Sequence, residues 1–64
     1  MSNAPTTEIQ TARDACKALR ELSRQPYRFL TDRQRASYGE ALATARALRA
    51  SIPFVEETLV DLGL

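Results

Sequence analysis

Residues 31–53 read TDRQRASYGEALATARALRASIP, and the fold class turns on what this stretch does. Its opening, Thr31-Asp32-Arg33-Gln34, has the form of a capping box. In that arrangement the Thr hydroxyl accepts the amide of the fourth residue, whose own side chain reaches back to the cap. From there Tyr38, Ala41, Ala45, Leu48 and Ile52 recur every three or four positions with Leu42 beside them, the period of a helix with one buried face. Pro53 closes the stretch, because the residue before a proline disfavours the α region. The spacing predicts a helix over about 31–51.

The same signals recur on both sides. Upstream, Thr7-Glu8-Ile9-Gln10 fits a second capping box. Ile9, Ala12, Cys16, Leu19 and Ser23 then form a seam widened by Ala15 and Leu22, until Pro26 ends the helix at or before Gln25. Downstream, Pro53 suits the first position of a new helix. Glu56 and Glu57 fall in its first turn, where the helix dipole favours acids, and Phe54, Val55, Leu59 and Leu62 supply an inner face. Gly63 is placed to end it in the left-handed conformation. The expected fold is therefore all-α: an antiparallel hairpin of helices at about 7–25 and 31–51, closed by a short third helix at about 53–62, as a three-helix or dimeric bundle. Residues 1–6 are expected to be a disordered tail and 7–64 a single domain. Tyr27-Arg28-Phe29-Leu30 is too apolar for a solvated connection, so it is expected to fold back over the end of the hairpin. Gly39 costs up to about 1 kcal/mol in a helix interior, which predicts a close helix crossing there.

Composition sets the limits. The chain has 64 residues, near the lower bound for a self-sufficient core, and 10 of its 28 apolar residues are Ala, which bury little area. One Cys cannot form a disulfide within the chain, and with no His the usual zinc ligand sets are missing. Association with a partner or a second copy is the remaining way to add buried surface. The formal charge of +1 conceals an asymmetry: residues 13–49 hold all nine basic groups and four acidic ones, net +5, whereas the last 13 residues hold Glu56, Glu57 and Asp61 and no basic group. No apolar run approaches the roughly 20 residues of a membrane span, and no basic-then-apolar leader pattern opens the chain, so a cytoplasmic location is expected.

Catalytic chemistry is poorly served. Without His there is no Ser–His or Cys–His pair and no imidazole base. Glu56 and Glu57 are adjacent and point in different directions on a helix, so they make no carboxylate dyad. Gly39 and Gly63 are the only glycines, which leaves no phosphate-cradling loop. Cys16 lies on an apolar seam and reads as a buried thiol. The expectation is a non-enzymatic protein with no catalytic residues, no cofactor and no metal.

Three features could bind or brace something. Arg13, Lys17, Arg20 and Arg24 fall within an arc of about 60° on the first helix at about 100° per residue, a stripe about 16 Å long, and Arg28 could extend it together with Arg33 and Arg35. Such a stripe suits an acidic protein partner or, beside Tyr27 and Phe29, nucleic acid. Asp14 and Glu21 stand at three- and four-residue spacings from Lys17 and Arg24, so the stripe could equally be an internally paired face. Ala36, Ala43 and Ala50 repeat every seven residues with Ala47 beside them, a small-residue face opposite Tyr38 and Leu48 where another helix could pack. Arg49 sits at the edge of the apolar face, within reach of Glu56 or Glu57 for a structural ion pair.

Residues 57–64, ETLVDLGL, resemble the first helix and glycine turn of a helix-turn-helix, but no recognition helix follows, so the resemblance implies no DNA-reading role. The function expected from the residues is a small helical binding module, an accessory, inhibitor or adaptor of the kind phage and other mobile elements carry. It would act through protein–protein contacts as a homodimer, with no membrane role. The alternatives are a nucleic-acid-binding accessory protein using the stripe, and a structural subunit joined head to tail through its acidic and basic ends.

Overall fold

In the computed structural model, residues 6–64 are described; the expected tail, apart from Thr6, lies outside them. Helix α1 spans Thr6–Leu22, α2 spans Asp32–Leu48 and α3 spans Pro53–Asp61, with a 3₁₀ turn at Tyr27–Phe29 between α1 and α2. There is no strand among the described residues. The all-α hairpin with a short third helix is what the periodicities predict. No helix of the described residues is long and apolar enough to cross a membrane.

Helix α2 starts as its sequence dictates. Thr31 is extended at φ −69° and ψ 166°, its Oγ1 accepts the Gln34 amide at 3.1 Å, and the Gln34 side chain accepts the Thr31 amide at 2.9 Å. The corresponding box at Thr7 does not form, because α1 already runs through that residue. Thr11 Oγ1 donates to the Thr7 carbonyl at 2.9 Å, and the Gln10 side chain donates forward to Asp14 Oδ1 at 3.0 Å. Both long helices also stop three residues short of the expected ends. After Leu22 the amides of Arg24 and Gln25 turn to carbonyls three residues back, so the chain unwinds before Pro26. Ahead of Pro53, Ile52 must be extended (φ −126°, ψ 103°), and Ser51 and Ile52 both bond to the Leu48 carbonyl in a closing turn. A proline thus acts a full turn before its own position.

Helix α3 begins with Pro53 in its first turn and ends on Gly63 at φ 73°. The Leu64 amide bonds to the Leu59 carbonyl at 2.8 Å and the Gly63 amide to Val60 at 3.1 Å, the two bonds of a Schellman motif. Gly63 supplies the left-handed conformation that a side chain would disfavour.

Ala12, Ala15, Cys16 and Leu19 of α1 meet Ala41 and Ala45 of α2, and Ile52, Val55 and Leu59 complete the core. Alanines on both facing helices let the backbones approach, at the cost of little buried area. Tyr38, Leu42, Leu48, Phe54, Leu62 and Leu64 are only partly buried around that centre. The described residues form a rod of 44 × 21 × 15 Å.

Two expectations are corrected. Gly39 is exposed, and a Cβ there would meet nothing within 4 Å, so no helix crosses at that point. Its neighbours on the 3.6-residue wheel are the outward residues Ala36 and Ala43, which explains why nothing packs on it. In the connection only Leu30 is buried. Tyr27 and Phe29 remain 56% and 64% exposed, because the 3₁₀ turn directs them outward. Tyr27 is held edge-on to Tyr38, 5.6 Å between ring centroids, and Phe29 carries the Arg28 guanidinium 5.0 Å from its ring.

Candidate functional site

Packing of α3 against α1 turns the basic stripe from a row of side chains into one wall of a groove. Arg13, Lys17, Arg20 and Arg24 line one side with Glu21 among them, Phe54 and the buried Thr58 line the other, and the space between them is about 460 Å³. The buried Cys16 lies at its base. The geometry brings four of the five stripe residues together. Arg28 stands apart in the 3₁₀ turn, where its carbonyl accepts Arg35 Nη2 at 2.9 Å and its guanidinium covers Phe29.

The four groove cations are not equivalent. Arg20 is committed: its Nη2 lies 3.5 Å from Asp61 Oδ2 and donates to Thr58 Oγ1 at 3.4 Å, pinning α3 to α1. Thr58 donates a hydrogen bond from its own hydroxyl to the Phe54 carbonyl at 2.9 Å, so its burial leaves no polar atom unsatisfied. Arg13, Lys17 and Arg24 have no carboxylate within 4 Å among the described residues, although Asp14 and Glu21 lie on the same helix. The wall thus carries three cations outside any ion pair among the described residues, with the Glu21 carboxylate beside them.

Of the other sequence-derived positions, Arg49 Nε stands 3.7 Å from Glu56 Oε1, an exposed link between the end of α2 and the first turn of α3; Glu57 takes no part in it. Ala36, Ala43, Ala47 and Ala50 are all exposed, since α1 and α3 pack on the other side of α2. Sequence periodicity identified the basic stripe but not the groove, since it does not say which side of α1 the third helix will cover. The signal that could have found it is Phe54, an apolar residue on the flank of α3 away from Val55 and Leu59.

A second depression between α1 and α2, about 250 Å³, is lined by Thr11, Asp14, Ser37, Glu40 and Thr44 and has no basic residue. No three groups of metal-binding type stand together among the described residues. In comparisons with known proteins, no family model, curated protein or solved structure matches the chain.

Proposed function

We propose that this chain is a non-enzymatic helical binding module of the cytoplasm, an accessory, inhibitor or adaptor that acts through protein–protein contacts and is itself a homodimer. The observation that carries this reading is the balance of buried and exposed apolar surface. Leu19, Val55 and Leu59 are the largest fully buried side chains, while Tyr27, Phe29 and Val60 are each more than half exposed. A core of that size is marginal for an isolated domain, and the exposed apolar groups together with the unpaired cations of α1 suit a protein surface. Sedimentation velocity on the intact chain tests the dimer: the reading expects twice the chain mass at tens of micromolar (about 8 kcal/mol of association at a micromolar Kd). A single monomeric species throughout removes the homodimer.

Nucleic-acid binding is favoured by one specific feature, the pair of exposed rings in the turn with Arg28 over Phe29 at 5.0 Å and Arg35 over Tyr27 at 5.4 Å. Bases stack on such rings while arginines neutralise phosphate. Titration of a labelled single-stranded oligonucleotide at about 50 mM salt separates the two readings. Salt-sensitive binding weakened in R24E supports nucleic acid, and no binding leaves the protein–protein reading.

A further inference from the structure

We propose that the depression at the turn end of the hairpin takes one base of a single-stranded nucleic acid, with the next base stacked on Phe29 and a phosphate of the strand on Arg28. This rests on the nucleic-acid reading above and assigns the contact to the turn, away from the basic wall of α1.

Where the ends of α1 and α3 meet the turn and α2, they leave a space of about 200 Å³ lined by Leu22, Leu30 and Leu62 together with Tyr27 and Tyr38. It is smaller than the roughly 300–1,000 Å³ of drug-sized ligand sites, which suits one flat ring system. The two tyrosine rings cross at 74° with 5.6 Å between centroids, so together they offer an incoming ring both a face and an edge. Ser23 and Gln25, both exposed, complete the lining. Neither side chain is hydrogen-bonded among the described residues, which leaves both free for the polar edge of a base. The α1–α3 groove includes Glu21, and the α1–α2 depression includes Asp14 and Glu40. No carboxylate side chain lines this third space.

The turn is braced from within the chain. Arg35 Nε donates to the Tyr27 carbonyl at 3.4 Å and its Nη2 to the Arg28 carbonyl at 2.9 Å, while its guanidinium lies 5.4 Å from the centre of the Tyr27 ring. Binding there costs little ordering. Phe29 is 64% exposed with the Arg28 guanidinium 5.0 Å from its ring, and no carboxylate stands within 4 Å of Arg28 among the described residues. Residues 27–35 hold Arg28, Arg33 and Arg35 against Asp32 alone, net +2. Tyr27, Arg28 and Phe29 thus present ring, cation and ring in succession, and a strand repeats one flat ring and one anion per nucleotide. An acidic peptide would meet the cation and leave the rings without partners. In a duplex the bases are already paired and stacked, so a single strand is the form that can supply them.

The protein carries its own reporter. Tyr27 and Tyr38 are its only tyrosines and it has no tryptophan, so its intrinsic emission comes from the walls of this depression. The test is a titration of the intact chain with a labelled oligothymidylate of about 12 nucleotides at about 50 mM salt, followed by label anisotropy and by tyrosine emission. Binding should quench the tyrosines. Phe29→Ala should weaken it by about fivefold or more, and Arg28→Gln should lower the slope of log affinity against log salt by about one. Both residues are exposed, so the variants should keep the helical circular dichroism of the parent. Binding that leaves the emission unchanged and ignores both variants, but is lost in K17E/R24E, overturns this site and leaves nucleic acid on the α1 wall. Equal affinity for thymidine monophosphate overturns the strand and leaves a single nucleotide as the occupant. Equal affinity for a duplex of the same length overturns the insertion of a base. Absence of binding to all three overturns both this inference and the nucleic-acid reading.

Discussion

Leu19 has no exposed surface, and every other buried α1 or α2 residue in its cluster is an Ala or Cys16. Single alanines thus set how near the two long helices lie, and that was legible in the three-and-four spacing of the sequence. Gly39 was not. A glycine in a helix carries two opposite messages, close approach or simple tolerance, and only the emptiness around its Cα selects between them. Its replacement gives the residue-scale prediction. Gly39→Ala adds a methyl that meets nothing and removes the backbone freedom of glycine, so it should stabilise the chain by about 0.5–1 kcal/mol in urea unfolding. A loss of stability would mean that something presses on α2 there, making the alanine face an interface.

Helix ends behave by rules the residues only half declare. Two Thr-x-x-Gln patterns occur, and only Thr31–Gln34 closes as a reciprocal box. At Thr7 the same letters lie inside α1, so Thr7 is itself helical and does not take the extended conformation that a cap requires. Removing the functioning cap isolates its contribution: Thr31→Ala leaves the Gln34 amide without its acceptor and should cost about 0.5–2 kcal/mol, read as a lower urea midpoint at unchanged slope. No change would mean that the α2 start is held by the Leu30 packing instead. Thr7→Ala serves as the comparison, since its hydroxyl caps no amide among the described residues and its loss should fall within about 0.5 kcal/mol.

At the scale of the whole molecule, the charge asymmetry along the sequence becomes an arrangement in space. Laying α3 along α1 puts the acidic segment beside the basic one, uses Asp61 and Glu56 in exposed ion pairs, and leaves Glu57 facing outward. Such exposed pairs contribute little, typically about 0–1 kcal/mol each, so they orient α3 more than they stabilise it. The stripe was visible in the sequence because it repeats with the helix period. The groove was not, because it depends on the side from which a third helix arrives. What remains uncovered is large for so small a core: two aromatic rings at the turn, Val60 on α3 and the whole outer side of α2. An association that covers any of these couples unfolding to dissociation, so stability must depend on concentration. The decisive measurement is the melting temperature by circular dichroism from about 5 to about 500 μM chain, at fixed buffer and salt. A rise of several degrees across that hundredfold range is the outcome expected of a molecule that folds as half of a pair. A melting temperature that stays constant over the range would show that the 64 residues are sufficient alone.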